Sequence, residues 1–106
     1  MDIEQARSET LIETGLQYRP GDPVRIRVVH RAQRIDVTDD GAAFERAAPP
    51  RGWREVARRL ERELLVNVTR HGVVSLPVVQ AGPPEPEVVQ RIAEASLTFF
   101  EELLEL

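Results

Sequence analysis

Cysteine is absent from this sequence of 106 residues, and long apolar runs are absent as well. Without cysteine the chain can form neither a disulfide bond nor a Cys-based zinc site, and it has no thiolate nucleophile. No run approaches the ~18 apolar residues of a transmembrane helix. The opening stretch Met1–Gln5 does not have the pattern of a signal peptide. These absences predict a cytoplasmic protein that does not span a membrane.

Lysine is absent too, so all 14 basic residues are arginine. Two interpretations stay open. Guanidinium groups suit bidentate contacts with phosphates and carboxylates, whereas a GC-rich genome favours arginine codons without any functional reason, and we favour this second interpretation. The net charge of −4 and the pI of about 5.2 argue against a basic nucleic-acid-binding domain.

Size and composition indicate one globular domain spanning residues 1–106. Domains most often contain about 100–150 residues, and a chain of this size can bury roughly two thirds of its unfolded surface. The sequence is 42% hydrophobic and 30% charged, a balance that fits neither a disordered nor a fibrous protein.

The N-terminal segment Asp2–Thr14 contains neither glycine nor proline and is followed by Gly15. Glycine directly after a helix commonly supplies its left-handed closing residue, so this pattern predicts an N-terminal helix. Its apolar residues do not fall on one clean face. The cluster Tyr18–Pro23 contains two prolines and a glycine, which predicts a turn.

Apolar and polar residues alternate through Val24–Thr38, as expected for a β-hairpin. We predict the register that places Val28 opposite Ile35 and Ile26 opposite Val37, because a slip by one residue would pair apolar with polar side chains. The connecting loop has no glycine, so its turn type stays open.

Two helices are predicted after the turn at Asp39–Gly41. The segment Ala42–Ala47 is predicted to form a short helix, which Pro49 and Pro50 end. A longer helix is predicted over Arg51–Glu63, where apolar residues recur three and four positions apart. These residues are Trp53, Val56, Ala57, Leu60 and Leu64.

The segment Leu64–Val79 predicts a second hairpin. A three-residue loop, Arg70–Gly72, places Val68 opposite Val74 and matches apolar residues with apolar residues. Such loops take a left-handed residue at their last position, which here is glycine. Pro77 has no N–H for a ladder, so its strand is expected to have an unpaired stretch at an edge.

A C-terminal helix is predicted over Glu87–Leu104, with an apolar arc of about 200° at ideal helical spacing. A surface helix needs only about 100°, so part of this face is expected to need a second cover. Two-fold dimers are the commonest closed assembly, and we predict that a homodimer interface forms here. Its candidate residues are Val89, Ile92, Ser96, Phe99, Phe100, Leu103 and Leu104.

The predicted elements give an α+β fold with the order α-ββ-α-ββ-α. Two hairpins would form a four-stranded antiparallel sheet that packs against the helices, because segregated strands and helices favour such a sheet. The hairpins contribute its strands, and the two longer helices contribute its cover.

Few residues of the sequence are candidates for a catalytic or metal-binding role. Histidines at 30 and 71 fall in predicted loops without a nucleophile near them in sequence. The carboxylates Asp36, Asp39, Asp40 and Glu45 follow no metal-ligand spacing, and Asp-Asp-Gly is ordinary turn chemistry. We therefore predict no catalytic residue, no metal site and no cofactor.

Arginines cluster in two places. The first set lies on the first hairpin, and the second set falls within roughly 80° of the Arg51–Glu63 helix. Both could contact an anionic partner, yet we favour a solvated or partner-facing surface because stacking aromatics are missing there. The two sets are Arg25, Arg27 and Arg34, and Arg51, Arg54, Arg58 and Arg62.

The stretches Val24–Val28 and Arg34–Gly41 resemble the strand–strand–DDG opening of small uncharacterised bacterial domains. The order helix, hairpin, helix, hairpin, helix also resembles the fold of small acidic secretion chaperones and their sensory-regulator relatives. That resemblance implies a homodimeric, protein-binding scaffold. It concerns the fold, and function does not follow from fold.

Three functions remain as hypotheses. The leading one is a non-enzymatic protein-interaction or regulatory module that forms a homodimer. The alternative is a binder of nucleic acid or of a phosphate-bearing ligand through the arginines. A small enzyme ranks last, because the usual catalytic groups cannot be assembled from the sequence.

Overall fold

The computed structural model describes residues 8–78 and 86–106. They form a five-stranded antiparallel sheet and three helices, which confirms the α+β class. The elements are β1 (Ser8–Arg19), β2 (Asp22–His30), β3 (Ile35–Thr38), α1 (Ala42–Ala47), α2 (Trp53–Leu64), β4 (Asn67–Val68), β5 (Val74–Val78) and α3 (Pro86–Leu104).

The strands lie in the order β1-β2-β3-β5-β4. One face of this sheet packs against α3, which contacts β1, β2, β3 and β5 and also packs against α1 and α2. Alternate residues of β2, namely Val24, Ile26 and Val28, point into this layer and are fully buried. The core therefore lies between one sheet face and one long helix.

The predicted N-terminal helix is wrong for the part that the structure describes. Residues 8–14 belong to β1, whereas residues 2–7 of the predicted helix lie outside the described residues. The β-branched residues Thr10, Ile12 and Thr14 recur with period two, which suits a strand. Gly15, with φ 85°, does not close a helix but lies in an irregularity of β1.

The first hairpin has the predicted faces in a register shifted by two residues. Val28 lies opposite Val37, and His30 lies opposite Ile35. The loop that joins them contains four residues and is closed by the Arg31 N–H donating to the Arg34 carbonyl at 2.9 Å. Because a shift of two keeps the parity of every residue, the apolar side chains still face the core.

The second hairpin has the predicted register, with Asn67 opposite Ser75 and Val68 opposite Val74. Gly72 has φ 80° in the loop, as predicted. Strand β4 contains only two residues, because Leu64 ends α2 instead of beginning the strand. Because β4 is so short, Pro77 lies beyond its last pair with β5, and this side of β5 pairs with no described strand there, as expected. The expected edge position is wrong, because β5 is an inner strand of the sheet.

The other three helix predictions are confirmed, with α1 over the predicted residues and α2 and α3 within two residues of their predicted ends. The apolar face of α2 packs inward through Val56, Ala57 and Leu60, which are buried. Over the described residues the sheet has five strands and not the expected four, because β1 lies where part of the N-terminal helix was predicted. None of the described helices is long and apolar enough to cross a membrane.

Candidate functional site

A buried polar network crosses the core and joins residues far apart in sequence. The Ser96 hydroxyl of α3 donates to Asp39 Oδ2 at 2.6 Å, and the Tyr18 hydroxyl lies 2.6 Å from Ser96 Oγ. Since Ser96 uses its hydrogen on the carboxylate, Tyr18 is the donor of the second bond. Asp39 Oδ1 accepts the backbone N–H groups of Gly41 at 2.8 Å and Val74 at 3.0 Å.

Burial sets the acid–base properties of this network. It raises the pKa of the Asp39 carboxyl, although the hydrogen bonds from Ser96, Gly41 and Val74 oppose the rise. It also raises the pKa of Tyr18 to about 12, against the opposing effect of the Ser96 hydrogen bond.

The buried network has a structural role. Asp39 is 1% exposed and Ser96 is fully buried, so a substrate has no access to either side chain. The three side chains connect β1, the β3–α1 turn and α3, and the Val74 N–H adds β5. Sequence patterns identified only the turn role of Asp39. The serine on the apolar face of α3 was the available signal for the network.

The other carboxylates of the acidic set do not converge on one point. Asp36 pairs with Arg31 and Arg34, and Asp40 pairs with Arg27. Among residues 8–78 and 86–106, no group of three or more His, Cys, Asp or Glu side chains could hold a metal ion. His30 is half-buried at the end of β2, whereas His71 is exposed in the second hairpin loop.

The residues predicted for a dimer interface on α3 are buried within a single chain. Six of the seven face the core, and only Leu104, at 51%, is exposed. The expectation that part of this helix face needs a cover from a second chain is therefore wrong for these six residues, because the sheet and the neighbouring elements cover more of the helix than one sheet face alone would. Tyr18 of β1 covers Phe100, with ring centroids 5.4 Å apart. The buried members are Val89, Ile92, Ser96, Phe99, Phe100 and Leu103.

The first arginine set is neutralised by carboxylates. Two of its members lie on β2 and the third lies in the following loop. Each forms an ion pair at the surface, so this set does not present free guanidinium groups to an anionic partner. The pairs are Arg25 with Glu13 (3.5 Å), Arg27 with Glu9 (2.9 Å) and Asp40 (2.7 Å), and Arg34 with Asp36 (3.3 Å).

The second arginine set is exposed, and none of its members pairs with a carboxylate of the described residues. Arg54 and Arg58 line a groove of about 190 Å³ between α2 and the β4–β5 loop, and the loop contributes Arg70 to the opposite wall. We call this the basic groove. Arg51 and Arg62 lie outside it. The sequence did not predict that Arg70 would join this set, because tertiary packing brings the loop to α2.

Strand β1 forms one edge of the sheet and contains 12 residues. Its residues from Ser8 to Glu13 pair regularly with β2 on one side, and the other side has no partner strand among the described residues. Leu11 points away from the core and is 54% exposed. Long exposed edges are templates for further strand pairing.

An apolar groove of about 440 Å³ lies beside this edge. Strands β1 and β2 supply one wall, and the beginning of α3 supplies the other. Its lining combines apolar side chains with the hydroxyl, imidazole and amide groups of polar residues. The lining residues are Thr10, Ile12, Thr14, Val28, His30, Pro86, Val89 and Gln90.

Comparison of the chain with protein-family models, with curated proteins and with solved structures gives no match.

Proposed function

We propose that this domain is a non-enzymatic protein-interaction module and that it forms a homodimer through the outer edge of β1. The observation that carries the proposal is the regular stretch of β1 from Ser8 to Glu13, which pairs with β2 on one side and with no other described strand, and in which Leu11 is exposed. The cytoplasmic setting and a regulatory role stay predictions from the sequence.

An outer strand offers a row of backbone N–H and C=O groups to a partner strand, and β1 is the outer strand of the described sheet. Lysine and proline, which protect many natural edges, are absent from this stretch. Its two charged residues, Glu9 and Glu13, each pair with an arginine of β2. The irregular part of β1 begins only after Glu13. A strand added to the regular part would satisfy these backbone groups, which is the basis of β-strand addition.

A second copy of the chain fits this edge. In an antiparallel pairing centred on Leu11, the two leucines lie opposite each other and Thr10 lies opposite Ile12 of the second copy. Glu9 and Glu13 would also face each other. Each already pairs with an arginine of β2, at 2.9 Å and 3.5 Å, so the facing carboxylates are compensated.

Light scattering at micromolar concentration tests the proposal. We expect a mass of twice the 12.0 kDa chain. Leu11→Glu should yield single chains, because it brings two uncompensated carboxylates together at the centre of the paired strands. Leu104→Glu is the matched control, since Leu104 is 51% exposed and Leu11 is 54% exposed. The control should keep the doubled mass.

Two results would contradict the proposal. A wild-type mass of one chain would exclude the homodimer. Dissociation by Leu104→Glu but not by Leu11→Glu would move the interface to the end of α3. Circular dichroism of both variants should match the wild type, because each side chain is exposed in the single chain.

A further inference from the structure

We propose that the basic groove binds the phosphate group of a small phosphorylated molecule. The site is separate from the β1 edge and does not depend on a homodimer. Its side chains come from α2 and from the β4–β5 loop, and guanidinium groups form much of its wall. The lining residues are Trp53, Arg54, Ala57, Arg58, Glu61, Val68, Thr69 and Arg70.

The three arginines of the groove form no ion pair with a carboxylate of the described residues, whereas many of the other arginines do. Six arginines of the described chain form ion pairs with carboxylates, and Arg54, Arg58 and Arg70 are not among them. Arg54 and Arg58 lie one helical turn apart on the same side of α2, while Arg70 approaches from the hairpin loop. Unpaired guanidinium groups on facing walls are suited to phosphate oxygens.

One carboxylate, that of Glu61, also lines the groove. Its Oε2 accepts the backbone N–H of Val68 at 2.9 Å, so it links α2 to β4 and already has a donor. The groove thus contains three positive side chains against one negative side chain, and its excess charge is positive. An anion would compensate that excess.

Packing fixes the distance between the two walls. The ring of Phe44 packs on Trp53 with centroids 4.6 Å apart, and Gly72 of the loop lies against Phe44. Thr69 Oγ1 accepts the N–H groups of His71 and Val73 at 3.2 Å and 3.1 Å, which fixes the loop that presents Arg70. Arg54 lies over the Trp53 ring, 5.4 Å from its centroid. A preorganised site binds with a smaller entropic cost.

The size of the groove selects the ligand class. A volume of about 190 Å³ is below the ~300 Å³ of the smallest typical ligand pockets, so it fits one phosphate group and little more. The protein's net charge of −4 opposes binding of a long polyanion. We therefore assign the groove to a small phosphate ester and not to a nucleic acid.

The test uses the full chain with inorganic phosphate and pyrophosphate as probes, and ¹H–¹⁵N spectra as the measurement. We expect saturable shifts at the amides of Thr69–Gly72 and at the Nε–H groups of Arg54 and Arg58. Arg70→Gln and Arg58→Gln should each weaken binding at least tenfold. Arg62→Gln removes the same charge from α2 outside the groove, and binding should change less than twofold.

Three outcomes would overturn the proposal. The first is the absence of saturable shifts with both probes. The second is an equal loss of binding in Arg62→Gln and Arg70→Gln, which would indicate attraction to net charge alone. The third is binding of a single-stranded oligonucleotide, steeply weakened by salt, in the absence of pyrophosphate binding. Arg70 is exposed, so its variant is expected to fold and the comparison stays valid.

Discussion

Gly72 is a position where backbone conformation and side-chain packing impose the same choice of residue. Its φ of 80° lies in the left-handed region, which costs any L-residue with a Cβ about 1 kcal/mol or more. A Cβ atom at this position would also collide with the Phe44 ring and lie 2.8 Å from Phe44 Cβ. Glycine is thus required both by the loop and by the contact between the loop and α1.

We predict that Gly72→Ala lowers the free energy of unfolding by more than about 2 kcal/mol, because strain and overpacking add. Gly72→Val should cost more still, since β-branched residues resist this region. Gly21→Ala is the matched control. Gly21 has φ 83°, and a Cβ there meets nothing within 4 Å, so only the backbone strain remains. Urea denaturation measures both, and equal losses would contradict the packing contribution.

Asp39 and Asp22 respond to pH in opposite directions. Burial raises the pKa of Asp39 above its ordinary 3.8. The protonated form is then favoured on folding, and its contribution to stability declines as pH rises through the folded pKa. Arg46 donates to Asp22 at 2.7 Å and 3.0 Å and lowers the pKa of that carboxyl below 3.8. The contribution of Asp22 is present above pH 3.8 and declines as pH falls.

The difference between wild type and variant isolates each group, because the remaining carboxylates cancel. As pH falls from 7 towards 4, we expect the wild type to gain stability relative to Asp39→Asn. As pH falls below about 4, the wild type should lose stability relative to Asp22→Asn. Denaturant midpoints across this pH range provide the measurement. A parallel pH dependence of wild type and Asp39→Asn would contradict the assigned pKa direction.

At the scale of single elements, periodicity predicted best where one face is buried. The apolar residues Val56, Ala57 and Leu60 identified α2, and Gly72 identified the loop of the second hairpin together with its register. The first hairpin had no turn glycine to fix its loop length, so alternation gave the faces but left the register open to a shift of two residues.

The N-terminal element shows why the helix prediction failed. Absence of glycine and proline is equally compatible with a strand, and Gly15 marks an irregularity of β1. The alternation of Thr10, Ile12 and Thr14 with exposed residues was the informative signal. Pairing with β2 supplies the remaining stabilisation, and that long-range contribution does not appear in local sequence patterns.

Helix α3 has a covered side and an exposed side, and their substitutions should differ accordingly. Phe100 is 2% exposed and Leu104 is 51% exposed. Phe100→Ala should lower the free energy of unfolding by about 3–5 kcal/mol through lost burial and a cavity. Leu104→Ala should cost less than about 1 kcal/mol. Thermal or urea unfolding measures both, and similar losses would contradict the burial of Phe100 within one chain.

At the scale of the whole molecule, the candidate sites depend on contacts between distant residues. Tyr18 and Ser96, which share a hydrogen bond, are 78 positions apart. The basic groove requires Arg70 to approach α2, and the sequence showed only the second arginine set on that helix. Local patterns predict which side chains an element buries. They do not predict which polar groups meet when the elements pack.

The position of α3 after the five described strands has a consequence for synthesis of the protein on the ribosome. Phe99, Phe100 and Leu103, which cover the sheet, are synthesised after every strand has been made. Until these residues emerge from the exit tunnel, the apolar face of any nascent sheet remains exposed to solvent. Such faces attract chaperones and other nascent chains. Many native contacts are also long-range, which slows closure of the core. The interval before α3 emerges is therefore the one in which this chain is most exposed to aggregation.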